Sequence, residues 1–217
     1  MNERLKRLNI YVIFFVIFYT ICMQSFFTIT FNNVLFGSIV NFLTSIGFYE
    51  FLLLLLYALI SRSDTLLKLY WGKIYLKGLW SYTYTLNNVQ YKGIWRIEQD
   101  LFETKVIGYG IDDNGKPRSD VRSVTDLYER NQSYEIINIR KDIVQIIQEN
   151  YSKTTLFPDY NPKGHFLSVT YPTRMRAITT IYGGTLSGNI HTDVIFIKHE
   201  DSSCEEDVVR ELIHLRQ

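Results

Sequence analysis

The sequence predicts an α-helical transmembrane hairpin, then an all-β antiparallel up-and-down barrel of about eight strands, then a short C-terminal helix. Three observations carry this. Residues 9–30 and 39–60 are long apolar runs almost free of charge. From residue 75 the pattern changes to a two-residue alternation broken by turn residues. The tail, over residues 204–216, returns to a helical period.

At about 1.5 Å per residue, each apolar run is roughly 30 Å long as a helix, matching the hydrocarbon core of a bilayer. Only helices or closed barrels satisfy every backbone polar group in lipid. A pair of helices buried in a water-soluble core would show a charged stripe, and apart from one carboxylate neither run has one. Asn32 and Asn33 mark the break between the spans. Arg4, Lys6 and Arg7 precede the first span, Arg62, Lys68 and Lys73 follow the second, and the Thr30–Ser38 connection is uncharged. The positive-inside rule therefore directs both termini to the cytoplasm. A cleaved signal peptide fits poorly, because the first run is too long and a second follows it. The chain thus divides into an anchor (residues 1–62), a linker (63–74) and a cytoplasmic ligand-sensing barrel (75–217) with its tail helix.

Glu50 lies near the middle of the second span. A carboxylate there costs about 2.5–3.5 kcal/mol on insertion scales. In an antiparallel hairpin it faces the depth of Tyr19 and Thr20, whose hydroxyls offer an intramolecular bond. The alternative is that Glu50 helps helices from several chains associate. Gln24, Asn41, Thr44, Ser45 and Gly47 add the small and polar positions at which helices pack in lipid.

In the barrel region Gly78, Trp80, Tyr82 and Tyr84 alternate with Leu79, Ser81, Thr83 and Thr85, and Tyr91–Ile97 repeats the pattern after Asn87-Asn88. Phe102–Ile111 reads as a third strand closed by Asp112-Asp113-Asn114-Gly115, a hairpin turn. Further strand-like runs are Val121–Arg130, Ser133–Ile139, Ile143–Gln148, Phe166–Tyr171, Met175–Tyr182 and Ile190–Lys198. Sequential hairpins favour a barrel, which removes exposed edges. Gly78-Leu79-Trp80 resembles the G-x-W that opens lipocalin-like barrels, and Gly93-Ile94-Trp95 matches it equally well. In the tail Ser203 and Glu206 fit a capping box, and Val208, Val209, Leu212 and Ile213 share one helical face.

Composition narrows the function. Formal net charge is +1, so the basic stripe of a DNA or RNA binder is missing. Cys22 and Cys204 do not form a disulfide framework, which fits a reducing compartment. Gly183 to Gly188 has a P-loop's glycine spacing without its Lys and Ser/Thr. His165, His191, His199 and His214 lack metal spacing, and no G-x-S-x-G elbow occurs. The expectation is a non-enzyme without metal or cofactor.

The strands are rich in tyrosine, which offers a flat face and a hydroxyl. They also carry Arg96, Arg122, Arg140, Arg174 and Arg176, and arginine grips phosphate oxygens in pairs. Aromatic faces with a few arginines and no basic field suit a small nucleotide. The candidate ligand-binding residues are Trp80, Tyr82, Tyr84, Tyr109, Arg140, Arg174, Arg176 and Tyr182, with Trp80 the one most expected inside. Tyr134, Asn138 and Arg140 share one face, and Arg174, Arg176, Thr180 and Tyr182 another. If both faces line the lumen, Arg140, Arg174 and Arg176 converge there.

Two spans with basic flanks, a linker through Trp71 and the strand starts Lys77-Gly78-Leu79-Trp80 and Lys92-Gly93-Ile94-Trp95 resemble a known layout. It is that of the two-transmembrane, β-barrel effectors of bacterial cyclic-oligonucleotide-based antiphage signalling (CBASS). The resemblance implies that a partner cyclase makes a cyclic dinucleotide during infection and that the barrel binds it. The spans then self-associate in the bacterial inner membrane and disrupt it. It assigns no ligand contact to a numbered residue. Two other readings stand beside it: a membrane-tethered, lipocalin-like carrier of a small apolar ligand, and a barrel that recruits a protein.

Overall fold

The computed structural model describes residues 3–86, 88–130, 133–143, 149–159, 171–182, 190–199 and 204–214. Two compact units result, Met1–Trp71 and Gly72–Gln217. The first holds two helices long and apolar enough to cross a membrane, α1 (Glu3–Phe31) and α2 (Val34–Arg62). Asn32 makes the tight reversal in the left-handed region, at φ 44°. Asn33 then caps α2, its side-chain oxygen accepting from the Phe36 amide at 3.1 Å.

Polar side chains join the two helices. Asn41 Nδ2 donates to Gln24 Oε1 (2.8 Å) and to the Thr20 carbonyl (2.9 Å). Thr20 Oγ1 donates to Ser45 Oγ at 2.7 Å, and Gln24 Nε2 to Ser38 Oγ at 2.8 Å. Gly37 allows the close approach beside them, since a Cβ there would lie 3.0 Å from the Phe27 carbonyl oxygen. Residues 63–74, expected as a linker, include the helix α3 (Asp64–Trp71). Ser63 supplies the missed signal: its hydroxyl accepts from the Leu66 amide at 3.3 Å, and Asp64 opens the first turn.

In the second unit β1 (Gly78–Leu86), β2 (Val89–Gln99), β3 (Thr104–Ile111) and β4 (Pro117–Ser123) form successive hairpins. After them come β5 (Tyr128–Arg130), β6 (Ser133–Asp142), β7 (Glu149–Asp159), β8 (Arg174–Tyr182) and β9 (Ile190–Lys198). All pairings are antiparallel, in the order β4-β3-β2-β1-β9-β8-β7-β6-β5. β4 also pairs with β6, closing eight strands into a barrel, while β5 runs beside the first residues of β6. The tail forms α4 (Glu205–His214).

Three strand boundaries differ from the sequence reading, each for a local reason. Val121–Arg130 is not one strand. It breaks after Ser123, where Asp126 Oδ1 accepts from the amides of Thr104 (2.7 Å) and Leu127 (2.8 Å). β3 starts at Thr104 and not at Phe102 because Asp100 Oδ1 takes the amides of Phe102 and Glu103 in an Asx turn. β7 went unseen because its inward face is polar, with Asn150, Ser152 and Thr154 ahead of Leu156. Of the runs expected at Ile143–Gln148 and Phe166–Tyr171, residues 144–148 and 166–170 lie outside the described residues. So do Ser203 and residues 183–188.

One half of the barrel is filled. Trp80 is fully buried there, and its indole N–H donates to the Leu76 carbonyl at 2.7 Å. Ile97, Val106, Ile136, Leu156 and Met175 are buried as well. Gln99 ties in the preceding segment: Oε1 accepts from the Leu76 and Lys77 amides, and Nε2 donates to the Ile74 carbonyl.

A second core lies outside the barrel wall. Val208 and Leu212 of α4 pack on Leu79, Ile94 and Ile111. Arg96 Nη2 pairs with Glu205 Oε1 (2.6 Å) near the start of the helix, and Lys92 Nζ donates to the Leu212 carbonyl (2.6 Å) near its end. The β3–β4 turn reaches the same helix. Gly115, at φ 78°, would carry a Cβ only 2.7 Å from Ile213 Cδ1.

Candidate functional site

The other half of the barrel holds a cavity of about 220 Å³. The two-residue period of β1 and β2 directs Tyr82, Tyr84, Tyr91 and Trp95 inward, and the three tyrosines form a row. Tyr82 and Tyr84 lie 6.2 Å apart with rings 16° from parallel; Tyr84 and Tyr91 lie 4.9 Å apart at 9°. Trp95 and Phe196, 4.6 Å between centroids, make the floor. The Arg118 guanidinium stands 5.9 Å from the Tyr91 centroid, in cation–π range.

Facing this aromatic wall is a polar one. Arg140, half-buried on β6, reaches across the lumen, and its Nη1 donates to the Tyr84 hydroxyl at 2.8 Å. Burial alone would lower the Arg140 pKa. The oxygens of Tyr84 and Tyr82, with Asp142, outweigh it and leave the group above its ordinary value. Burial also pushes the Tyr82 hydroxyl far up against the opposing pull of Arg140, so Tyr82 is neutral at any physiological pH. Thr154 and Thr179 hydroxyls meet at 3.1 Å, and Asn138 Nδ2 donates to Thr154 at 3.5 Å. Asn150 Oδ1, Asn138 Oδ1 and Ser119 Oγ are buried with no hydrogen-bond partner among the described residues.

The structure brings together some of the sequence candidates and separates the rest. Tyr82, Tyr84 and Arg140 line the cavity. Trp80 is inside but belongs to the plug beneath it. Tyr109 points the other way, to the outer wall, where burial and then the Glu205 carboxylate of α4 push its hydroxyl pKa up. Arg174, Arg176 and Tyr182 are also on the outward face. On β8 the inward residues are Met175, Ala177, Thr179 and Ile181, so Arg174 and Arg176 do not converge with Arg140. Arg96 and Arg122 are outside as well, paired with Glu205 and Asp120.

The candidate list left out Tyr91, one of the strand tyrosines, and sequence reasoning missed Arg118, Asp142 and Asn150. Parity from Gly93 and Trp95 would have found Tyr91, and parity from Arg140 would have found Asp142. Among the described residues no group of three His, Cys, Asp or Glu side chains is arranged to hold a metal.

Neither a family model nor a curated protein matches the chain. Among solved structures it is similar to a redesigned β-barrel, mFAP1, bound to DFHBI. The match has 12% identity and a TM-score of 0.39, and covers 57% of this chain and 94% of that one.

Proposed function

We propose that this chain is a membrane-anchored receptor and effector of CBASS-type antiphage defence. Its barrel takes up a cyclic dinucleotide, and its two spans then associate in the bacterial inner membrane and disrupt it. The observation that carries the reading is Arg140: a guanidinium held inside a barrel, against a row of three tyrosines, with a second arginine at the rim. A base stacks on the tyrosine row, and a phosphate exchanges with Tyr84 for the Arg140 fork. The cavity is smaller than the roughly 300–1,000 Å³ of sites that enclose whole ligands. It suits one base with its phosphate, the other half of the messenger extending past the mouth. The hydroxyls of Ser152, Thr154, Thr179 and Thr192 give a polar ligand hydrogen-bond partners, beside a lining otherwise apolar at Leu86, Val121, Ile181, Val194 and Phe196.

The anchor side rests on Glu50. The hairpin does not use this carboxylate, because Thr20 is committed to Ser45 and the Val16 carbonyl, and the Tyr19 ring lies 4.3 Å from Phe48. Glu50 is exposed on α2 and makes no hydrogen bond or ion pair among the described residues. Pairing with polar groups of other copies relieves the cost of exposing it to lipid. A ligand drives such assembly only by binding the assembled state better.

The test is thermal unfolding of the full chain in detergent, titrated with a panel of cyclic dinucleotides. At a hundredfold excess over Kd, stabilisation of about 2.7 kcal/mol is expected for the cognate member. Arg140→Ala should abolish it while leaving the unliganded transition in place. No shift with any member overturns the reading.

A further inference from the structure

We infer that the outer face of β8 and β9 is a docking surface for a second copy of this chain, paired about a two-fold axis. The inference goes beyond the nucleotide reading and does not depend on what the cavity holds. Arg176, which does not serve the cavity, is the register partner of Ile195 across β8 and β9. Ile178 and Asp193 are the next outward pair along the same two strands. The four side chains thus stand at the corners of one outward quadrangle, with Arg176 and Asp193 on one diagonal and Ile178 and Ile195 on the other. All four are exposed, Ile178 at 43% and Ile195 at 38%. Phe157 beside Arg176 on β7, and Ile197 two residues along β9, are exposed as well and widen the apolar surface. On β1 to β3 the outward Leu79, Ile94 and Ile111 lie beneath α4. No described element covers the β8–β9 face in that way, and a contiguous exposed apolar patch marks an interaction surface.

Charge says what covers it. The Arg176 and Asp193 side chains make no hydrogen bond or ion pair among the described residues. An anionic partner, whether nucleic acid or acidic lipid, would meet Asp193 together with Arg176, and Asp159 together with Arg174, its register partner. A second copy meets no such conflict. When two of these faces close about an axis running along the Ile178–Ile195 diagonal, each isoleucine touches its own counterpart, and Arg176 of each copy reaches Asp193 of the other. An axis along the other diagonal would set arginine on arginine and aspartate on aspartate, so charge alone fixes the register of the pair. A patch of this size falls short of the roughly 800 Å² per partner of a standard stable interface. The contact is therefore weak between free molecules. Copies confined to one bilayer by their apolar helices meet at a much higher effective concentration, where a weak contact suffices.

The experiment uses the full chain in liposomes, with Cys22→Ser and Cys204→Ser removing the native thiols. Ile178→Cys and, separately, Ile195→Cys are oxidised, and disulfide-linked dimer is measured. Both positions lie on the axis, so each should link to itself. Ile107→Cys, as exposed on β3 as Ile178 is on β8, should not. In the Ile178→Cys chain, Arg176→Asp or Asp193→Arg alone should lower the linked fraction about tenfold, since each dimer then holds two like-charge contacts. The double exchange, Arg176→Asp with Asp193→Arg, should restore it. Unchanged melting temperatures show that the variants fold, as expected for exposed positions. Absence of self-linking at both isoleucines overturns the inference, and so does linking at Ile107→Cys as strong as at Ile178→Cys. A double exchange that stays as low as the single ones assigns the face to a partner other than a second copy, and overturns it too. None of these outcomes bears on nucleotide binding, which the detergent titration reads separately.

Discussion

Gly93 and Tyr82 are register partners on β2 and β1, and the tyrosine ring occupies the space that a side chain on Gly93 would need. A Cβ at position 93 would overlap both the Tyr82 phenol and the backbone carbonyl of Tyr109. Gly93→Ala should therefore destabilise the barrel by about 2–3 kcal/mol, the upper range of overpacking. Urea unfolding followed by tryptophan fluorescence measures it, and a transition at the wild-type midpoint would contradict the packing described.

Lys92 is nearly buried under α4, where its ammonium serves the Leu212 carbonyl at the end of the helix. Lys92→Met keeps the aliphatic stem but leaves that carbonyl without its donor. A loss of about 1–3 kcal/mol is expected. It should be confined to the helix: amide exchange over residues 205–214 speeds up, while the strands and ligand binding are unaffected.

His199 links β1 to α4, with Nε2 2.8 Å from Ser81 Oγ and Nδ1 3.8 Å from Glu211. Burial holds its pKa below the ordinary 6.5, only partly offset by Glu211. The unfolded chain thus takes up the proton first as pH falls. The stability from neutral His199 is complete above about pH 6.5 and is lost as pH drops through the folded-state pKa. A melting temperature that falls between pH 7.5 and 5, with a shallower fall in His199→Gln, is the expected result.

Asn41 and Glu50 should separate cleanly in the anchor. Asn41→Leu removes two hydrogen bonds between α1 and α2 and should loosen the hairpin by about 0.6–2 kcal/mol. Reduced cross-linking between cysteines engineered into the two helices would register it. Glu50→Leu should leave both the hairpin and ligand binding intact and lower only association between chains in nanodiscs. Loss of ligand binding in Glu50→Leu would show that anchor and barrel do not divide the work this way.

The gross architecture was legible because apolar length and two-residue alternation are properties of single segments. Trp80, Tyr82 and Tyr84 were found inside because β1 alternates cleanly. Arg174 and Arg176 went to the wrong side because the rule that polar faces point outward or inward changes round this barrel. On β6 the polar Asn138 and Arg140 face the lumen, whereas on β8 the inward positions are Met175 and Ala177. Only cross-strand neighbours decide that, and they come from distant segments. The polar face of β7 concealed a whole strand for the same reason. Tyr109 was misjudged because its strand has two buried faces, one under Glu205 and the rest of α4.

The pairing of β4 with β6 has a further consequence. It leaves the eight barrel strands with no open hydrogen-bonding margin, and among the described residues only the three-residue β5 keeps one. Among the described residues, adding strand to strand is thereby restricted to the short edge of β5. Assembly through the eight barrel strands then rests on side chains meeting face to face, and the apolar rods that precede the barrel offer a second route.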